Sequence, residues 1–304
     1  MILKSNIFLE KFKKEMVSAD VSFNTIKNYI ADVKNFYNWY HELNHSNEID
    51  KITFYHLNAY KDYMLHNKRK KSSSINRNIQ SLKNFFQFLT KQKILKSTPA
   101  AKIRFLRKAR AVQPQALRKQ EIHKLLSVTS HSSHGTRKRN YAIVQIILQT
   151  GIRVSELVGL EFRDLEIYKR SGQIRIVNGK GGKERIVPLN NSVRRALSNY
   201  LENRELKKEG FVFLSKRNQR LTSRAVQQMI TNLARKANIE NAKVTPHVLR
   251  HTFAINYLKS NPECLVELST LLGHESLDTT SIYTVASKER LADTVEKTGI
   301  YINE

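Results

Sequence analysis

Seven polar residues in four short stretches of this 304-residue chain are of types that could act together on a phosphate ester. "TGIRVSELVGL" holds Arg153 and Glu156, three apart and so on one face of a helix. A planar guanidinium can grip two oxygens of one phosphate, with the carboxylate fixing its orientation; a surface ion pair is the alternative. "NGKGGKER" puts Lys180 at the tip of a glycine-flanked turn, either reaching over a bound substrate or simply solvated, with Lys183 as its competitor. "TPHVLRHTFA" opens on a cap, Thr245, and a proline suited to the first helical position, Pro246. His247 and Arg250 then share the face of a first helical turn, where an anion is already favoured. A surface His/Arg pair is the competing reading, and His251 next door reads as structural. "GHESLDTTSIYT" sets His274 nine positions before Tyr283, which is either one more packed aromatic or a nucleophile.

A phosphodiester resists attack because its oxygens repel nucleophiles. Two guanidiniums and a histidine would neutralise that charge and stabilise a pentacoordinate transition state. A tyrosine, ordinarily ionising near about pH 10, gives up its proton more easily beside such a cluster. Lys180 would protonate the leaving sugar oxygen as general acid. Covalent attachment to Tyr283 would conserve the ester energy, so that resealing needs no ATP; the missing GxxxxGKS loop agrees. Metal ligation is the rival use of His247, His251 and His274. The chain lacks HExxH spacing, CxxC pairs and an acidic cluster, so neither metal nor cofactor is expected. The one cysteine, Cys264, excludes an internal disulfide.

The elements that must position these groups divide into two halves. The chain carries 53 Lys and Arg against 26 Asp and Glu, a net charge of +27, which points to a polyanionic partner: nucleic acid first, an anionic membrane surface second. Residues 1–110 hold 22 basic and 8 acidic residues, a net of +14, so the first third is the more densely basic. No apolar run suits a membrane span, and "MILKSNIFLEKFKKEM" alternates too quickly for a signal-peptide core, so a cytoplasmic protein is expected.

The first third reads as a bundle of about four helices. Stripes such as Ile26, Ile30, Val33, Phe36, Tyr37 and Tyr40, or Ile75, Ile79, Leu82, Phe85, Phe86 and Leu89, read as core, and caps are expected at Ser22, Thr53 and in Ser72–Ser74. The run Lys68, Arg69, Lys70, Lys71 precedes a helix start and is either a solvated loop or a phosphate contact. A basic cluster, Arg104, Arg107, Lys108 and Arg110, runs into a linker expected across about 105–116, and a basic tether there suggests a clamp closing around a ligand. Beyond it, helical patterns surround one hairpin, Ile174–Val177 with Arg185–Leu189, and a polar loop is expected at "SHSSHGTRKRN". The expected fold is mainly α in two domains, 1–104 and 117–304, joined by the linker 105–116, with a small antiparallel β-sheet in the second.

In order, Arg153, Lys180, His247-x-x-Arg250, His274 and Tyr283 resemble the catalytic boxes of the tyrosine recombinase (integrase) family, most closely its small Xer-type members. The likeness runs through most of residues 117–290, and the first third is similar to the family's core-binding domain in length and pattern. The resemblance implies that Arg153 and Arg250 bind the scissile phosphate, His247 assists proton transfer, and Lys180 is the general acid. It further implies that His274 hydrogen-bonds the phosphate, Tyr283 is the nucleophile, and Glu156 supports the first arginine. DNA contacts are expected from Lys68, Arg69, Lys70, Lys71, Arg107, Lys108 and Arg110. The implied reaction is site-specific exchange of double-stranded DNA at paired inverted core sites, through a 3′-phosphotyrosyl intermediate and a Holliday junction. The implied assembly is a homotetramer, with "SKERLADTVEKTG" as the C-terminal helix that docks on a neighbour. Whether a second recombinase or accessory protein takes part stays open. So does the choice among dimer resolution, cointegrate resolution, and integration with excision as the biological role. A topoisomerase that nicks and reseals without exchange, or a non-enzymatic DNA-binding protein, are the alternatives.

Overall fold

The apolar periods of the first hundred residues close into four helices, α1 (Leu3–Ser18), α2 (Phe23–Asn44), α3 (Phe54–His66) and α4 (Ser72–Lys91). The computed structural model describes residues 3–44, 48–107, 116–131, 134–177, 184–202, 209–239, 244–274 and 280. These fall into two compact units, Met1–Val112 and Gln113–Glu304.

In the first unit the aromatic stripes are core. Phe36, Phe85 and Phe86 are wholly buried, and Phe36 meets Tyr60 and Phe86 edge-on at 5.2 and 6.2 Å between ring centres. Ser22 caps α2 by accepting from the Thr25 amide, and Thr53 forms a capping box with His56 at the start of α3. The expected serine cap of α4 is corrected: extended Lys71 takes the cap position and Ser72–Ser74 form the first turn. The chain stays tied to this unit as far as Leu106, whose amide and carbonyl both bond the Asn76 side chain.

The second unit is built round α6 (His134–Thr150), which packs against α5 (Lys119–Ser130), α8 (Asn191–Leu201) and α10 (Pro246–Ser260). Ala142, Ile143, Val144, Ile146 and Ile147 of α6 are all fully buried. Between α6 and α8 come the short α7 (Val154–Gly159) and a three-stranded antiparallel sheet, β1 (Leu165–Ile167), β2 (Gly172–Ile176) and β3 (Arg185–Pro188), in that order. Ile174 of β2 faces Val187 of β3, both buried, so one sheet face joins the core. The helices α9 (Ser223–Lys236) and α11 (Leu265–Leu272) complete the described elements.

Two expectations change here. The sheet has a third strand, β1, too short at three residues to show a period. The loop "SHSSHGTRKRN" is helical from His134 onward, because Arg137, Lys138 and Arg139 are good helix formers and the last two have partners to meet. Lys138 pairs with Glu202 at 2.9 Å, and Arg139 donates to the Leu214 carbonyl at 2.8 Å. Among the described residues no helix is long and apolar enough to cross a membrane.

Candidate active site

Three arginines converge on one helix end. The last turn of α11 leaves its carbonyls without partners inside the helix. Arg185 Nε donates to Leu271 O at 2.9 Å, Arg250 Nη2 to Leu272 O at 2.8 Å, and Arg153 Nη2 to Gly273 O at 2.7 Å. Cations are favoured at the negative end of a helix, so the turn gathers and orients the three guanidiniums. Gly273 closes α11 in the left-handed conformation, φ +63°, and a Cβ there would lie 2.8 Å from Arg185 Nη1.

Each arginine reaches this turn from a different element. Arg153 is the cap residue of α7, directly after the sharp turn at Gly151 that ends α6. Gly151 has φ +64°, and a Cβ there would collide with the Phe253 ring. Its carbonyl accepts from Arg250 Nη1 at 2.6 Å. Arg250 lies in α10, whose start follows the expected grammar: the Thr245 side chain accepts from the Val248 amide, and Pro246 sits at the first position. Arg185 opens β3.

Glu156 ties two of the three together. Its Oε1 accepts from Arg153 Nη1 at 2.9 Å and Arg185 Nη1 at 3.0 Å. Its Oε2 accepts from the Arg153 amide at 2.8 Å and Arg185 Nη2 at 2.7 Å. Burial alone would raise the Glu156 carboxyl, but the bonds from Arg185 and Arg153 outweigh it and hold the group below the usual carboxylate range. Among the described residues, three guanidiniums against one carboxylate leave the cluster cationic.

The histidines stay neutral beside this charge. His274 Nε2 lies 2.9 Å from Arg250 Nη2, and because a guanidinium only donates, this nitrogen must accept. The ring proton is therefore on Nδ1, donated to buried Thr280 Oγ1 at 2.7 Å. Burial, then Arg250 and Arg153, push His274 down to about 4. His247 keeps an exposed edge, yet desolvation of its ring, then Arg250 and Arg153, lower it as well. His251 is lowered by burial, then by His247 and Arg250. A neutral imidazole beside two arginines can accept a proton at neutral pH, and the cluster as a whole suits an anion.

A family model described as "Phage integrase family" matches residues 115–290, and one described as "Phage integrase, N-terminal SAM-like domain" matches residues 9–93. The chain belongs to the phage integrase family. It is 33% identical over 287 residues to the tyrosine recombinase XerD of Listeria monocytogenes serovar 1/2a, covering 91% of this chain and 93% of that one. It is 28% identical over 288 residues to the tyrosine recombinase XerC of Pediococcus pentosaceus, covering 92% and 93%. The crystal structure of the XerH site-specific recombinase bound to palindromic difH substrate superposes with a TM-score of 0.75 at 23% identity, over 95% of this chain and 83% of that one. That last likeness carries the fold alone.

Of the residues singled out in the sequence of this tyrosine recombinase, Arg153, Glu156, His247, Arg250 and His274 are brought together in the second unit. Lys180, its competitor Lys183, and Tyr283 lie outside the described residues, as do Lys108, Arg110 and the segment "SKERLADTVEKTG". Lys68, Arg69 and Lys71 are exposed in the turn between α3 and α4, with Lys70 half-buried, and Lys68 Nζ sits 5.6 Å from the Tyr63 ring centre. Arg107 is exposed at the end of the described part of the first unit. Sequence reasoning missed Arg185 as a member of the cluster. The available signal was period two: "RIVP" turns Arg185 to the same side as buried Val187, and a cation on an inward face demands partners.

Proposed function

We propose that the enzyme is a site-specific DNA recombinase that cuts and rejoins double-stranded DNA through a tyrosyl ester formed by Tyr283. The observation that supports this most is the cluster itself: Arg153 and Arg250, fixed by backbone carbonyls and a carboxylate, beside two neutral histidines. In this reading the two guanidiniums hold the non-bridging oxygens of the scissile phosphate and stabilise the charge that builds in the transition state. The Tyr283 hydroxyl attacks phosphorus and yields its proton to His247. The bond from phosphorus to the 5′ oxygen breaks, and Lys180 protonates the departing oxygen. A 3′-phosphotyrosyl ester remains, and the 5′ hydroxyl of the exchanged strand reverses the step. His274, held by Thr280, accepts from Arg250 and so helps to aim that guanidinium at the phosphate.

The N-terminal helices, assigned here to 1–104, are the core-binding domain, joined through the basic segment 105–116 to the catalytic domain, 117–304. Lys68, Arg69, Lys70, Lys71, Arg107, Lys108 and Arg110 contact the DNA backbone. Four copies assemble on two sites, linked by their C-terminal helices, and exchange strands in pairs through a Holliday junction. The test is a supercoiled plasmid bearing two copies of the recognition site. Recombinant circles and a covalent protein–DNA adduct are expected. Relaxed circles with no recombinant product would replace strand exchange with simple nicking and closing. Binding is expected to weaken with salt by a slope of about 0.9 per neutralised phosphate.

A further inference from the structure

We infer that Arg185 is a positioning residue for Arg153, acting through Glu156 and the last turn of α11; the inference rests on the function proposed above. β3 turns Ile186 outward, 57% exposed, and Arg185 inward with Val187. The Arg185 side chain is 8% exposed and the Arg153 side chain 24%. All three nitrogens of the Arg185 guanidinium donate within the cluster, to both Glu156 oxygens and to the Leu271 carbonyl, so its role is to hold neighbours. What Arg185 does reach are the two groups that hold Arg153. Each Glu156 oxygen accepts one bond from Arg153 and one from Arg185. At the helix end, Leu271 O accepts from Arg185 and Gly273 O, two residues on, accepts from Arg153.

Arg153 is thus suspended between a carboxylate and a carbonyl, and Arg185 pins both. The arrangement also settles a charge problem. A carboxylate given to Arg153 alone would cancel the positive charge needed for phosphate. Shared with a second, buried guanidinium, it orients Arg153 and leaves the pair of arginines with a net positive charge. The planar fork is essential, because one lysine ammonium cannot span both carboxylate oxygens and the helix carbonyl together. A displacement of about 1 Å at a reacting group can cost about a hundredfold in rate.

The test uses the full-length protein and a nicked duplex selected from a random-sequence pool by wild-type binding. Its scissile phosphate is either ordinary or a methylphosphonate, in which a methyl replaces one charged oxygen. On the ordinary phosphate, Arg185→Gln is expected to form covalent adduct about a hundredfold more slowly than wild type, with gel-shift affinity within about threefold. Arg185→Lys is expected to recover only part of that rate. On the methylphosphonate, with less charge for Arg153 to meet, variant and wild type are expected to differ by less than about threefold. Should Arg185→Gln unfold below the assay temperature, Arg185→Lys carries the same comparison. An unchanged rate on the ordinary phosphate, or an equal loss on both substrates, would overturn the role and leave a general structural one. A wild-type protein that forms no adduct would overturn the proposed function, and this inference with it.

Discussion

Asp32 in the first unit and Glu156 in the second are both buried carboxylates facing arginine, yet their ionisation is pulled in opposite directions. Asp32 Oδ2 accepts from Arg77 Nη1 at 2.6 Å and Ser81 Oγ at 2.8 Å, cross-linking α2 to α4. Burial wins there, and the carboxyl is raised despite both bonds and despite Lys70. Arg77 is 43% exposed along its side chain, so water shares its charge. Glu156 faces two guanidiniums and a backbone amide, one guanidinium nearly sealed, and is lowered. One half-solvated guanidinium and a hydroxyl do not offset the burial of a carboxylate, whereas two guanidiniums in forked geometry and an amide do. The first unit uses its carboxylate to join helices, and the second uses its own to aim cations.

Neutralising the two carboxylates should separate them most clearly. Glu156→Gln strands a buried Arg185 guanidinium and is expected to cost about 3–5 kcal/mol in chemical denaturation. Asp32→Asn keeps the Ser81 bond and lets Arg77 turn to water, for a cost of about 1 kcal/mol. Equal costs would remove the contrast.

A smaller effect should appear on acidification. His274 is pushed down to about 4 from an ordinary value near 6.5. Between those values the unfolded chain binds a proton that the folded one refuses, so this contribution is complete above about pH 6.5 and lost as pH falls toward 4. The stability difference between wild type and His274→Gln, measured from pH 7 to pH 4, is expected to change by about 1–3 kcal/mol in favour of the variant. A flat difference would mean that the ring is not held neutral.

The smallest effects belong to the helix caps outside the cluster. Ser22→Ala removes the side-chain acceptor for the Thr25 amide and is expected to lower stability by about 0.5–1 kcal/mol without changing cleavage. Thr245→Ala removes a similar cap from α10, the helix that carries Arg250, and is expected to cost a similar amount of stability and also to slow adduct formation. Equal effects of the two substitutions on cleavage would argue that α10 does not position Arg250.

The contrast also marks what a sequence can display. Helices whose apolar residues recur at 3.6, such as α2 and α4, were legible, and so was the start of α10, because Thr245-Pro246 is a local signal. His247 and Arg250 then followed from spacing along one helix. The capping turn of α11 was not legible: its acceptors are the carbonyls of Leu271, Leu272 and Gly273, and a carbonyl leaves no trace in residue type. Arg185 was hidden for a related reason, since its partners lie 29 and 86 residues away along the chain. The helix that replaced the loop at His134 was masked by histidines, serines and a glycine whose local preference the packing of α6 overrides.

Trapping the adduct on a nicked duplex and sequencing the DNA-linked peptide shows directly whether this cation cluster serves a tyrosyl ester at residue 283. A 3′ phosphate joined to Tyr283 is expected, and no adduct from Tyr283→Phe although the variant still retards DNA in a gel. An adduct that persists in Tyr283→Phe, or one mapped to another residue, would contradict it.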